Sequence, residues 1–287
     1  MRTIHYLAIF FFCSCLWACQ SGDSTANEQQ DATSEETATP EQSESRVKGR
    51  EISYTKDSLT MKGYIAYNDS TSERRPGILV VHEWWGHNDY ARKRADMLAE
   101  MGYVALAVDM YGDGKTAAHP DDAGKFAGMV MSNMEEARAR FDKAMETLKQ
   151  DPRTDPEKIG AIGYCFGGGV VLNMALQGAD LDAVVSFHGS LPTPESVDGS
   201  QVKANMLVCH GADDPFIPAE KVEQFRKLMD EGGVSMTFNA YEGATHSFTN
   251  PDADENGKKF ELPLAYNEQA DKESWDNMSV FLKAIFQ

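Results

Sequence analysis

Cys165 sits in the run Gly163-Tyr164-Cys165-Phe166-Gly167, which closes one apolar stretch at 159–162 and opens another. Glycines on either side of a reactive residue suit a sharp turn between a strand and a helix, where backbone passes too close for a side chain. The residue after the nucleophile then offers its N–H at a helix start, where a developing oxyanion is stabilised. Cysteine fits acyl transfer, because a histidine beside a thiol promotes thiolate near neutral pH. Alone the motif is ambiguous. Glycine-rich turns also serve close packing, and a free cysteine is commonly a small buried hydrophobe. The partners must decide.

Three other polar clusters each follow a segment that reads as a strand: His82-Glu83 after Val81, Asp213-Asp214 after Cys209-His210, and Thr245-His246 after Tyr241. With Cys165 they give the order nucleophile, acid, histidine. His246 would take the thiol proton and later activate water, and it needs a carboxylate to orient it. Asp213 and Asp214 compete for that place. His82 and His87 raise a metal site as an alternative, but zinc-protease histidines stand four apart on a helix. Here they are five apart and a glycine intervenes. His188 follows another apolar run and reads as a structural or pocket-edge histidine. Cys209, within an apolar run, reads as core.

Something must hold these clusters together, and the hydrophobic pattern supplies it. Residues 51–56 and 61–67 read as a hairpin at a sheet edge, and 78–81 as a buried strand after Pro76-Gly77. A helix follows with Ala95, Leu98, Ala99 and Met101 on one side, stopped by Gly102. Strands are expected at 103–108, 159–163, 183–187, 206–210 and 235–240. Ser132 to Glu135 has capping-box spacing ahead of a helix carrying Met134, Ala137, Phe141, Ala144, Met145 and Leu148. Helices are expected at 168–176 and 219–229, and a closing one turns Trp275, Met278, Leu282 and Ile285 inward. This alternation predicts an α/β fold, a mostly parallel sheet with helices on both faces. Chemistry in such sheets gathers at the carboxyl ends of the strands.

The order of residues, together with His82-Glu83-Trp84-Trp85-Gly86, Gly163-Tyr164-Cys165-Phe166-Gly167-Gly168, Asp214-Pro215-Phe216-Ile217-Pro218 and the Tyr241 to Phe248 segment, resembles the dienelactone hydrolase family. The likeness covers roughly residues 50–286 and implies an α/β-hydrolase fold. It implies Cys165 as nucleophile, His246 as base and Asp214, through the Pro-Phe-Ile-Pro that follows, as the orienting acid. Asp213 becomes a turn or cap residue. It further implies that Glu83 contacts the resting thiol, where a neighbouring anion disfavours thiolate. The backbone N–H groups of Trp84 and Phe166 become the oxyanion hole, and Trp84 with Trp85 is expected to wall an apolar pocket. No cofactor or metal is called for. The family's carboxylate-clamping arginines are missing: Asp113 and Asn250 stand at those places, and neither replaces a bidentate guanidinium. The expected substrate is therefore an uncharged or differently placed ester or lactone. The alternatives are an esterase or deacylase acting on carbohydrate or other envelope substrates, and a non-catalytic envelope binding protein.

The 287 residues carry a formal charge of −18, which argues against nucleic acid and against direct docking on anionic lipid. A basic start and an apolar stretch from Ile4 to Trp17 have the layout of an export signal. Leu16-Trp17-Ala18-Cys19 resembles a lipobox, which implies cleavage before Cys19, a lipid on its new N-terminus and a place in the bacterial envelope. Residues 1–18 are thus expected as signal peptide and 19–49 as an acidic, aromatic-free linker too polar to fold. The catalytic domain is expected over 50–287. Cys165 and Cys209 would lie on strands separated by one other, about 9–10 Å apart, beyond the ~7 Å Cα limit for a disulfide. Both are expected as free thiols.

Overall fold

The computed structural model describes residues 46–287. The signal peptide, the Cys19 lipidation site and nearly all of the linker lie outside the described residues. The first strand, β1 (Val47–Lys56), begins a little before the expected domain start at Arg50. It pairs antiparallel with β2 (Leu59–Asn68), and Asp57 takes φ 54° in the turn between them. Then come β3 (Arg75–Val81), α1 (Asp89–Glu100), β4 (Val104–Val108), α2 (Pro120–Met131), α3 (Met134–Gln150), β5 (Thr154–Tyr164) and α4 (Phe166–Leu176). The remainder is β6 (Ala183–Phe187), β7 (Asn205–Gly211), α5 (Ala219–Glu231), β8 (Met236–Tyr241), α6 (Ala253–Phe260) and α7 (Glu268–Phe286).

The strands form one eight-stranded sheet in the order β1-β2-β4-β3-β5-β6-β7-β8. From β4 through β8 every neighbouring pair is parallel; β2 joins β4 antiparallel, so the hairpin forms one edge. Side chains alternate across the central strands and build two cores. Leu79 and Val81 of β3, Leu106 of β4 and Ala161 of β5 face α3, α4 and α5. Ile78, Val80, Ala105 and Ile162 face α1 and α7. Strands buried on both faces explain why their sequences are near-continuous apolar runs. In α7, Met278 and Leu282 are fully buried, whereas Trp275 and Ile285 pack at the margin of the core.

Three local expectations need correction. The cap of α3 is Asn133, whose side chain accepts from the Glu136 N–H; Ser132 instead ends α2, with its hydroxyl donating to the Met129 carbonyl. Asn133 has the non-helical backbone that a cap needs, while Ser132 is still helical. The strand expected at 159–163 begins earlier, at Thr154, so that Pro156 lies within it. The β3–β5 register slips between Pro76 and Gly77, and proline's missing N–H is tolerated at such an irregularity. Finally, α2 and α6 were not expected. Gly124 and Gly128 in one and Gly257 in the other dilute their helical periodicity, although Pro120 with Asp121 and Asp122 is a helix-start signal.

Candidate active site

The carboxyl ends of β3, β5, β7 and β8 deliver the four polar clusters to one place. At the end of β5 the chain turns so sharply that Cys165 takes φ 53° and ψ −114°, a strained backbone for any residue with a Cβ. The turn is possible only because its neighbours are glycines. A Cβ on Gly163 would lie 2.1 Å from the Gly167 carbonyl oxygen, and one on Gly167 would lie 2.3 Å from that of Val81. Gly167 N–H donates to the His82 carbonyl at 3.1 Å, which ties the elbow to the end of β3.

From the elbow the thiol of Cys165 meets Nε2 of His246 at 3.0 Å, and Nδ1 of His246 meets Oδ2 of Asp214 at 2.8 Å. The other Asp214 oxygen accepts from the Phe216 N–H at 2.9 Å, so the carboxylate is fixed at both ends. Asp213 is used differently: it accepts from the Gly243 N–H and pins the loop after β8. Burial alone pushes the His246 imidazole down. The adjacent sulfur of Cys165 and the Asp214 carboxylate outweigh it and raise the pKa to about 10. The ring is thereby held as imidazolium beside the sulfur. This arrangement is competent for proton transfer between sulfur and imidazole.

Glu83 lies close by but does not reach the thiol. Its Oε1 accepts from the Ser247 hydroxyl at 2.9 Å and its Oε2 from the Asn250 amide at 2.5 Å. The expected contact with Cys165 is thus replaced. A buried carboxylate gains more from two strong donors than from a thiol already paired with histidine. Burial raises the Glu83 pKa, and the hydrogen bonds from Asn250 and Ser247 pull the other way. Asn250, at one of the two positions where the resemblance implies a clamping arginine, is consumed in holding Glu83. Asp113 at the other is exposed, pairs with Lys115 and donates its N–H to the Thr60 carbonyl. The loop around it is organised by buried Asp109, whose carboxylate accepts from Lys62, Tyr111, Gly112 and Gly114 N–H groups.

Phe166 is the first residue of α4, so its N–H has no intrahelical acceptor and points with the helix's positive end at the site. The Trp84 carbonyl is fixed by the Tyr111 hydroxyl at 2.9 Å, which sets the peptide beside it. A cavity of about 330 Å³ opens above the thiol, walled by Trp84, Ala127, Phe166, Phe216, Ile217 and Leu264. Trp84 is in this wall as expected. Trp85 is not: its ring packs on Trp84 and on Phe260 of α6. Half-exposed Phe216 stands edge-on to the His246 ring at 5.0 Å and shields it.

Other histidines have fixed duties. His82 Nδ1 contacts the Glu83 carbonyl at 2.5 Å and its Nε2 accepts from the Met110 N–H at 3.3 Å. His188 is fully buried with φ 40°, and its Nδ1 accepts from the Cys165 N–H at 3.1 Å. Its Nε2 lies 2.7 Å from the Thr249 hydroxyl, which meets the Tyr90 hydroxyl at 2.6 Å, and Arg94 follows. Burial pushes the His188 pKa well down, which keeps Nδ1 an acceptor. Cys209 is buried in β7 with its thiol pushed up to about 12, and it is free, as is Cys165. The sequence reading missed Ser247, Thr249, Tyr90, Arg94 and the wall residue Ala127. An arginine four residues after a tyrosine, on the apolar face between Ala91, Ala95 and Leu98, was the available signal.

Known proteins resemble this chain along most of its length. Residues 61–286 match the model of the dienelactone hydrolase family. Protein usf of Aquifex pyrophilus is 33% identical over 207 residues, spanning 70% of this chain and 87% of that protein. A dienelactone hydrolase-like promiscuous phosphotriesterase from metagenomic libraries shares 32% identity and superposes with a TM-score of 0.79, over 84% of this chain and all of the other. A dienelactone hydrolase from Anabaena variabilis, at 19% identity and a TM-score of 0.55 over 76% of this chain and 96% of that one, shares the fold. With its α/β-hydrolase sheet and a match spanning most of its length, the chain belongs to the dienelactone hydrolase family and is a hydrolase of the carboxylic-ester type.

Proposed function

We propose that the protein hydrolyses an uncharged ester or lactone through a thioester on Cys165. The observation that carries this reading is the unbroken chain from Cys165 Sγ through His246 to Asp214, beneath an apolar cavity. The sulfur, as thiolate, attacks the substrate carbonyl carbon, and the carbonyl electron pair moves onto oxygen. Trp84 and Phe166 N–H groups stabilise that oxyanion. Collapse expels the alcohol, which takes the proton held on His246 Nε2, and leaves the acyl group on sulfur. Water then gives a proton to His246 and attacks the thioester; the acid departs and the thiolate returns. Asp214 keeps the imidazole oriented and balances its charge. Glu83 acts as a buried carboxylate at the edge of this set, held by Ser247 and Asn250.

The apolar cavity and the commitment of Asn250 to Glu83 support an uncharged substrate. Among the described residues that line this cavity there is no arginine or lysine to pair with a substrate carboxylate. We also propose that the protein is tethered through lipid on Cys19 in the bacterial envelope, on the strength of Leu16-Trp17-Ala18-Cys19 after an apolar stretch. No helix among the described residues is long and apolar enough to cross a membrane. Labelled fatty acid should enter the wild-type protein and not a Cys19→Ser variant.

The central test is Cys165→Ala assayed on aryl esters and lactones. Turnover should fall by at least ~10³-fold, the scale on which removal of a nucleophile acts when binding and the oxyanion site remain. Wild-type turnover by that variant would sink the assignment.

A further inference from the structure

A second and larger cavity, of about 590 Å³, adjoins the first. It lies between the α2–α3 junction, the later half of α4, the loop after β6 and the start of α5. Met131 and Ser190 line both cavities, so the two lie side by side at the Ser190 end of the site. Ser190 stands at the junction, exposed, against the first turn of α4; a Cβ on Gly169 would come 2.1 Å from its hydroxyl.

The chemistry of the two cavities differs. Beyond Cys165, His246 and Ser190, carbon walls the first. The second is about half apolar, and between its carbon walls it presents Gln177, Asn173, Ser190, Thr193, Asp198 and Lys221, with Ser196 and Gln201 beside them. Among the described residues, the side chains of Gln177 and Ser190 have no hydrogen-bond partner. Lys221 makes no ion pair and donates once, to the Thr193 hydroxyl at 3.3 Å, which leaves ammonium protons to spare. The Asn173 amide donates to the Gly169 carbonyl, leaving its oxygen available. The Asp198 carboxylate is engaged with the N–H and hydroxyl of Ser200. The set mixes donors and acceptors and contains one charge of each sign. An anion would meet Asp198 as well as Lys221, and an apolar chain would strand the amide and hydroxyls. A neutral group that both donates and accepts suits every member, and the hydroxyl does both from a single atom.

We propose that the substrate is an acylated polyol, its acyl chain in the carbon-walled pocket and its hydroxyl-rich alcohol in the second cavity, held by Gln177, Ser190 and Lys221. The inference rests on the ester-hydrolase reading above and narrows it to deacylation of carbohydrate-like alcohols. The acyl pocket has room for an aryl or medium-length chain, since a cavity of ~150 Å³ already accepts benzene. Polyol binding then supplies orientation at the carbonyl from a distance.

The experiment compares two butyrate esters, glucose 6-butyrate and methyl butyrate, on the wild-type protein and on Gln177→Leu and Lys221→Met. Wild type should prefer the sugar ester in kcat/KM by about tenfold or more, and each variant should lower that ratio about three- to tenfold, the scale of a lost hydrogen bond. Glucose 6-butyrate should also bind the Cys165→Ala protein, and less tightly once Gln177→Leu is added. Cleavage of both esters with equal kcat/KM, or a ratio untouched by both variants, overturns the polyol site and leaves the hydrolase standing. Cleavage of neither ester, with no binding to the Cys165→Ala protein, overturns both.

Discussion

At the residue scale, the choice between two adjacent aspartates turns on which one faces the imidazole. Asp214 is buried and meets Nδ1 of His246, whereas Asp213 holds a surface loop. Asp214→Asn should lower kcat on the order of 10³- to 10⁴-fold, because an amide selects the wrong imidazole tautomer. Asp213→Asn should change kcat several-fold at most. Steady-state kinetics on one aryl ester checks both, and the reverse ranking would reassign the acid. His246 also makes stability depend on pH. Its pKa is raised from an ordinary 6.5 to about 10, so its contribution is complete below pH 6.5 and is lost as the pH climbs toward 10. The stability gap between wild type and His246→Gln in denaturant should therefore narrow steadily over that window. A gap that stays constant would show that the sulfur and Asp214 do not hold the proton there.

At the element scale, the strand β5, the elbow and α4 are one device, and glycines make it possible. Gly163 and Gly167 lie against backbone oxygens at separations no Cβ tolerates. Gly163→Ala should cost more than ~3 kcal/mol, or leave the protein folded with a displaced thiol and little activity, since backbone must move in either case. Gly128, exposed in α2 with open space around it, is the contrast. Gly128→Ala should raise stability by about 0.5–1 kcal/mol through helix propensity alone. Thermal unfolding of the two variants decides the matter, and equal effects would mean that the elbow is not tight. The loop after β8 is a second device. Within a few residues it supplies His246 to the thiol, Ser247 and Asn250 to Glu83, and Thr249 to His188.

At the scale of the whole molecule, Arg94 joins parts of the chain that are far apart in sequence. From α1 its guanidinium donates to the Thr249 carbonyl and to Asp271 of α7, both at 2.6 Å, and to the Tyr90 hydroxyl at 3.2 Å. It also lies over the rings of Tyr90, Tyr164 and Trp275. Removing one partner of a buried ion pair typically costs 3–5 kcal/mol. Arg94→Leu should destabilise the protein by about that much and loosen the site through Thr249 and His188. Denaturant unfolding reads the first effect. A loss below about 1 kcal/mol would show that the cluster is not holding α7 in place.

Most of the fold was legible in the sequence because strands buried on both faces must be apolar throughout, and those runs stand out between polar turns. The clusters at 82–83, 165 and 213–214 were legible for a related reason: polar side chains just after such runs fall at one end of the sheet, and 245–246 follows the edge strand β8 in the same way. The sequence alone determined the elbow, the candidate nucleophile and the alternation of layers. Only the tertiary structure decided what Glu83 touches, because Ser247 and Asn250 reach it across the sheet from the far end of the chain. It also decided that Asn133 caps α3 and that Trp85 turns away from the pocket. These outcomes depend on competition between partners brought together by folding, and hydrophobic period carries no record of that competition.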